Sequence, residues 1–385
     1  MAYNMIHSDA LHVDQHITEK SVHCVVTSPP YYSLRDYGVP PTTWPDGWVG
    51  CLGLEETPDQ FVTHLCDVFD SVKKVLRDDG TLWINLGDTY AGGGGITGVP
   101  ENWESQSMSN REKYPENAPS RHNKKFGLKK KDLILVPFKL ATELQSRGLY
   151  LRQVIIWEKP NPARESVVDR PTTQHEYIFL MSKKPQYYYD MEAIRAESGA
   201  NRGSVWKITV SGYKGAHFAT FPPDLVERCI KAGTSEHGCC IDCGAPYKRI
   251  IEKGESDEEW KKKSGADSDG EYRGKATKDY KSGRAEDPSA VKKRVLAGMV
   301  TRTTVGWERS CTCEDRDPTG SATPINRVPC TVLDPFSGAG TTALVADRLG
   351  RDAIGTDLKE EYIGMADDRV YDDAPLFHQP HLKGK

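Results

Sequence analysis

The sequence predicts an α/β fold with a mostly parallel central sheet. Three observations carry that reading. Short apolar runs rich in β-branched residues recur along the chain and end in turn formers. Helix-like stretches lie between them, the alternation that builds a parallel sheet. No apolar run approaches the ~20 residues of a membrane span, and Met1-Ala2-Tyr3-Asn4-Met5-Ile6-His7 lacks the basic-then-apolar pattern of a secretory leader. A cytoplasmic location is expected.

The apolar runs are Val22 to Thr27, Thr81 to Leu86, Leu151 to Trp157, Tyr177 to Met181, Thr331 to Leu333 and Ala353 to Thr356, all read as buried parallel strands. Thr57-Pro58-Asp59 has the form of a helix N-cap with proline in the first turn, and apolar spacings of three and four continue it from Phe61 to Leu76. A second helix is expected from Leu133 to Ser146, stopped by Gly148. Two stretches depart from this pattern. Gly92 to Lys131 is rich in Gly, Asn and Ser and ends in a basic cluster. Glu252 to Arg294 is nearly all charged and small residues, and reads as a weakly ordered excursion. A mean hydropathy of -0.60 agrees with such loops. The net charge of -4 over 385 residues excludes a small, wholly basic nucleic-acid binder, though not a local basic groove. Ten cysteines in a reducing compartment are free thiols or metal ligands, not a disulfide scaffold.

Two motifs carry chemistry. In the first, a strand runs into Thr27-Ser28-Pro29-Pro30-Tyr31-Tyr32. Prolines fix the backbone and donate no hydrogen bond, so the carbonyl before a proline is rigid and free to accept. Ser28 adds a hydroxyl and Tyr31 a flat apolar face. Together they form a slot for an N–H group on a planar ring, as on a nucleobase amine. The plain alternative is a strand-ending turn with a core tyrosine, and for Tyr32 core packing is an equal expectation.

The second motif is Asp334-Pro335-Phe336-Ser337-Gly338-Ala339-Gly340-Thr341-Thr342, after the strand and before a helix from about Thr341 to Leu349. This is the first βα turn of a nucleotide-binding half-sheet, where glycines let a ligand approach the backbone. Asp357 follows the next strand, about twenty residues on, at the spacing of an acid that bonds ribose hydroxyls. The turn lacks a P-loop lysine and the full dinucleotide pattern. Gly338, Gly340 and Asp334 suit an adenosine ligand with a cationic amine, which Asp334 would pair.

With Ser28-Pro29-Pro30-Tyr31 ahead of Asp334 to Thr342, the chain resembles the S-adenosylmethionine-dependent DNA amino-methyltransferases of the permuted group called β. The resemblance implies a Rossmann-like methyltransferase fold with inserted recognition loops. It implies catalytic residues Ser28, Pro29, Pro30 and Tyr31, and cofactor contacts at Asp9, Asp334, Phe336, Ser337, Gly338, Gly340, Thr341 and Asp357. His217 to Ile230 resembles the segment that closes over the cofactor's methionine end. The acceptor would be a base flipped from double-stranded DNA. Serine at position 28 favours cytosine N4, as in the family, over the alternative of adenine N6. Cytosine C5 chemistry needs a nucleophilic thiolate, and the one Pro-Cys, Pro329-Cys330, reads as buried.

Cys240-Ile241-Asp242-Cys243-Gly244 is a knuckle with the spacing of a zinc half-site, and Cys311-Thr312-Cys313 supplies a second pair. A structural zinc in a small ribbon-like module is expected on Cys240, Cys243, Cys311 and Cys313, with Cys239 or His237 as substitute ligands. Lys183 to Gly215 interleaves aromatic and basic residues and is the candidate target-recognition region. The expected organisation is a catalytic half at 1–90, a basic insertion at 91–131, core at 132–182, recognition at 183–215, a cofactor-closing segment at 216–235, the zinc insertion at 236–327, the cofactor half at 328–372 and a tail at 373–385. No membrane partner is expected. A cognate restriction endonuclease and the choice of monomer or homodimer stay open. The competing readings are an RNA or protein N-methyltransferase and a zinc-bearing DNA-binding protein with a decayed core.

Overall fold

The computed structural model describes residues 3–33, 37–91, 129–162, 165–196, 199–210, 221–256, 300–313 and 327–375. In chain order, the strands are β1 (Tyr3–His7), β2 (Val22–Thr27), β3 (Thr42–Thr43), β4 (Val49–Gly50), β5 (Leu76–Leu86), β6 (Tyr150–Glu158), β7 (His175–Ser182) and β8 (Val205–Lys207). They continue with β9 (Cys239–Cys240), β10 (Lys248–Ser256), β11 (Val300–Glu308), β12 (Arg327–Val328), β13 (Thr331–Asp334) and β14 (Asp352–Asp357). The helices are α1 (Pro58–Val75), α2 (Val136–Ser146), α3 (Pro223–Gly233), α4 (Thr341–Arg348) and α5 (Glu360–Asp373). One sheet has the order β1-β14-β13-β2-β5-β7-β6-β8.

Every strand read from the sequence is present, but one runs the other way. β7 is antiparallel to both β5 and β6, while the remaining neighbours are parallel. The described residues of the link between β6 and β7 form no helix that crosses the sheet, so the chain turns back beside itself. The first helix begins as read, with Gln60 N donating to the Thr57 hydroxyl at 3.0 Å. The second starts at Val136, later than its apolar pattern suggests. Ile134 N bonds Thr89 O, Leu133 bridges Tyr90, and Leu135 takes a left-handed φ of 64°, so these residues are held off the helix.

Helices cover both faces of the sheet. α1 and α2 pack Phe61, Leu65, Phe69 and Leu140 onto Leu82, Ile84 and Phe179. α3 and α4 pack Leu225, Ile230, Leu344 and Val345 onto Val26, Trp83 and Val332. Each residue of β2 is buried, as a central strand with two covered faces requires.

The insertion after α3 is attached at the edge where β2 and β5 begin. Its knuckle pairs β9 with β12, and β10 pairs antiparallel with β11. Arg77 Nη1 donates to Cys243 O at 2.8 Å, and His23 Nε2 meets Gly244 O at 2.8 Å. The basic stretch within 92–128, part of the cofactor-closing segment, most of the charged excursion and the end of the tail lie outside the described residues.

Candidate active site

A cavity of about 330 Å³ opens at the carboxyl ends of the parallel strands, where ligands bind in open α/β sheets. Ser28, Pro29, Pro30 and Tyr31, at the end of β2, form one wall. Phe336, Ser337, Gly338 and Thr341, in the turn after β13, form the facing wall with Asp357. Asp9 lies beyond the end of β1 on the same cavity. Two motifs some 300 residues apart thus meet across one space, because β2 and β13 are hydrogen-bonded neighbours.

The turn is built from backbone bonds. Ser337 N donates to Thr356 O at 3.0 Å, and Gly340 N to Ser337 O at 2.9 Å. Gly338 and Gly340 take φ of 50° and 72°, the left-handed region that glycine enters without steric penalty. Gly338 N also donates to Asp357 Oδ2 at 2.9 Å, while Lys359 N donates to Asp357 Oδ1 at 2.9 Å. Burial raises the Asp357 carboxyl, against the pull of those two amides. Asp9 accepts Leu11 N at 2.9 Å and pairs with the Thr42 hydroxyl. Among the described residues, Ser337 Oγ is buried at the cavity wall without a hydrogen-bond partner.

Asp334 is placed differently from the expectation. Its carboxylate is 1% exposed and does not line the cavity. Oδ1 accepts the Thr27 hydroxyl at 2.6 Å and Phe336 N at 3.0 Å, and Oδ2 accepts the Thr342 hydroxyl at 2.7 Å. With those donors in place it is turned away from any ligand amine. Asp334 instead ties the residue before Ser28 to the turn after β13 and to α4. Burial pushes it up to about 6, although its three donors pull the other way. Gly340 also stands behind the cavity wall, against Ala366 of α5.

Tyr32 belongs to the core, 5% exposed and 5.6 Å from the Phe61 ring. Tyr31 faces the cavity, and its hydroxyl donates to Glu176 Oε2 at 2.7 Å. Asn85 Nδ2 donates to the same oxygen at 3.1 Å, and Lys159 forms an ion pair with Oε1. Asn85, Lys159 and Glu176 all line the cavity and were not among the expected site residues. For Lys159 and Glu176 the signal was Glu158-Lys159-Pro160-Asn161 and His175-Glu176, charged residues at strand ends.

The thiols of Cys240, Cys243, Cys311 and Cys313 lie within 4.8 Å of one another. Burial opposes ionisation of Cys240, but the Cys243 and Asp242 amides and neighbouring thiols bring it down to about 7. Cys239 and His237 do not join the cluster. Cys239 lies with His23 and Cys330 in a separate buried group, where His23 accepts Thr331 N with one ring nitrogen and meets Gly244 O with the other. His237 pairs with Arg327 and stacks on Trp307. In the 183–215 segment, Arg195 pairs with Glu192, Arg202 donates to Ile194 O and Arg195 O, and Trp206 is buried.

The chain matches the DNA methylase family of N6 and N4 amino-methyltransferases over residues 22–244 and 330–368. It is 42% identical over 243 residues to the Type II methyltransferase M.Cfr9I of Citrobacter freundii, covering 62% of this chain and 75% of that protein. It is 42% identical over 244 residues to M.SmaI of Serratia marcescens, covering 62% and 77%. Similarity to M.SfiI of Streptomyces fimbriatus is 27% over 420 residues and spans 92% of this chain and 88% of that one. Among solved structures, PvuII DNA methyltransferase (cytosine-N4-specific) superposes with a TM-score of 0.52 at 16% identity, covering 97% of this chain and 88% of that one. That likeness assigns the Rossmann-like methyltransferase fold. With the matched segments holding both walls of the cavity, the chain belongs to the N6/N4 DNA methylase family and is a DNA methyltransferase.

Proposed function

We propose that the chain transfers a methyl group from S-adenosyl-L-methionine to the exocyclic N4 amine of a cytosine flipped out of double-stranded DNA. The observation that carries this reading is the single cavity walled by Ser28-Pro29-Pro30-Tyr31 and by the turn 336–341. The turn fits an adenosine ligand. Its glycines allow close approach, and the buried, unpartnered Ser337 Oγ offers one more polar contact. Asp9 and Asp357 supply acceptors at the same end. The bound donor supplies an electrophilic methyl on a sulfonium.

The protein's residues hold the amine against it. The Ser28 hydroxyl and the Pro29 carbonyl accept the two amine hydrogens, which favours a more tetrahedral nitrogen with a localised lone pair. Fixing two reactants in near-attack geometry is the largest contribution expected of such a site. The base leaves the duplex at a cost of a few kcal/mol, and stacking on Tyr31 returns about 1–3 kcal/mol. Serine at position 28 favours cytosine over adenine. The test is to incubate the protein with the cofactor and unmethylated mixed-sequence DNA, digest to nucleosides and weigh the products. N4-methylcytosine is expected. N6-methyladenine would overturn the base assignment, and no methylated nucleoside would overturn the reading.

We also propose that Cys240, Cys243, Cys311 and Cys313 hold a structural zinc. Four thiolates close a tetrahedral site and leave no position for water or substrate. The module meets the sheet at His23 and Arg77, the opposite end of β2 and β5 from Ser28 and Asn85, which supports a structural role. Elemental analysis of the purified protein should find about one zinc per chain, lost in Cys240→Ser/Cys243→Ser. Unchanged metal content in that variant would sink the assignment.

A further inference from the structure

We propose that His64, which does not line the cavity, positions its cofactor end: as an imidazolium it clamps the β3–β4 hairpin onto α1, and cofactor affinity follows its proton. The inference rests on the reading of the cavity as a site for S-adenosylmethionine. His64 lies in α1 with its side chain fully buried. Its ring is stacked between two indoles, Trp44 at 4.4 Å and 17° and Trp48 at 5.2 Å and 22°. Both indoles come from the hairpin, where Trp44 N donates to Trp48 O at 2.8 Å. A carboxylate stands at each ring nitrogen. Nδ1 is 3.0 Å from Glu55 Oε1, and Nε2 is 3.2 Å from Asp46 Oδ2 in the hairpin turn. The second contact is an ion-pair approach and not an aligned hydrogen bond. Glu55 is itself buried, and its other oxygen accepts Gly53 N at 2.8 Å, which keeps the carboxylate turned to the ring.

This geometry calls for the charged ring. A neutral imidazole carries one N–H, and its other nitrogen is an acceptor. Whichever tautomer forms, one lone pair would face a carboxylate oxygen, at 3.0 or at 3.2 Å. The imidazolium presents an N–H to each carboxylate and positive charge to two indole faces, which attract a cation. Burial opposes the charge, but Glu55 and Asp46 outweigh it and hold His64 above its ordinary value. Charged groups at the other contacts of α1 are paired among themselves: Asp14 with Lys74, Lys139 with Asp59, and Arg147 with Asp67 and Asp70. The hairpin carries the effect to the cavity. Its Thr42 hydroxyl bonds Asp9 Oδ2, and Thr42, Trp44 and Asp9 all line that space. Loss of the proton sets a lone pair against a carboxylate, the hairpin loosens and Asp9 loses its tether. The clamp is therefore complete below the ordinary histidine value and is lost as pH rises through the raised folded one.

The test is calorimetric binding of S-adenosylmethionine to the full chain, from about pH 6 to pH 9, for wild type, His64→Gln and Asp46→Asn. The cofactor's own amine titrates alike in every case, so the ratio between proteins reports the clamp. Wild type should bind about tenfold more tightly than His64→Gln at pH 6 and equally well at pH 9. Asp46→Asn keeps an acceptor for Trp48 N but removes the second carboxylate, and should move the fall in affinity to lower pH. By reciprocity, cofactor binding to wild type near the midpoint should take up part of a proton, seen as a heat that varies with the ionisation enthalpy of the buffer, and His64→Gln should lack that share. A ratio of wild type to His64→Gln that stays constant across the range, or an Asp46→Asn profile that superposes on wild type, would overturn the clamp. Should His64→Gln not fold, wild type against Asp46→Asn carries the same comparison. A wild type that binds no cofactor at any pH would overturn the methyl-transfer reading, and the clamp with it. Wild-type binding with parallel profiles in all three proteins would overturn the clamp alone.

Discussion

Replacing Gly340 by alanine should destabilise the protein by about 3 kcal/mol, the sum of two separate penalties. The residue takes φ of 72° as the N-cap of α4, and a side chain in that left-handed region costs roughly 1–2 kcal/mol. The added Cβ would also lie 2.6 Å from Ala366 Cβ and 2.9 Å from Ala366 Cα, where α5 crosses the turn. Ala366 is fully buried, so its backbone has little room to retreat, and overpacking of this kind costs about 1–3 kcal/mol. Urea unfolding would show the loss as a lower midpoint with unchanged slope. Adding Ala366→Gly should recover only part of the steric share, because the 2.9 Å approach to the residue 366 Cα remains and glycine inside α5 costs about 1 kcal/mol of its own. A Gly340→Ala midpoint equal to wild type would show that the turn does not need its glycine. Because 337–341 borders the cavity, cofactor affinity should fall in the same variant.

The second large effect belongs to Asp334 and depends on pH. Its folded-state value is raised from 3.8 to about 6, chiefly by burial. A raised carboxyl favours the neutral form in the folded protein. Its stabilising share is therefore complete below about pH 4 and is lost as pH rises through about 6. The difference is worth roughly 3 kcal/mol, at 1.36 kcal/mol for each unit. The amide of an Asp334→Asn variant has no such titration. The stability of the variant relative to wild type should move in the variant's favour by about 2.4 kcal/mol between pH 4 and pH 7. Urea titrations of both proteins at the two pH values measure it. A difference that does not change with pH would show that no charge is buried there.

The two cases also show where reading a sequence stops. The strand ends at Ser28 and Asp334 are local patterns of proline, glycine and apolar residues, and they are legible one segment at a time. Which way Asp334 turns is not, because the decision rests on Thr27, about 300 residues away in the chain, whose hydroxyl lies 2.6 Å from the carboxylate. The Cys240–Cys243 knuckle is local and legible, and its meeting with Cys311 and Cys313 followed from metal-ligand spacing alone. Glu176 was hidden by direction. In a parallel β7 its position near the strand's start would lie at the far edge from Ser28. Because β7 runs antiparallel, that start comes to the carboxyl ends of its neighbours, and Glu176 enters the cavity. Apolar runs report strands but not their sense, which the connecting segment decides.

The strand order has a consequence for how the enzyme is made. β2 lies between β5 and β13, and β1 pairs only with β14. A ribosome working at about 5–20 residues per second needs on the order of 15–60 s to travel from Thr27 to Thr331. Throughout that interval the nascent chain carries the wall at 28–31 with no turn at 336–341 opposite it. Synthesis interrupted before β13 yields a polypeptide in which β1 lacks its partner strand and one edge of β2 is open. The two walls of the cavity can therefore meet only after translation has passed β13.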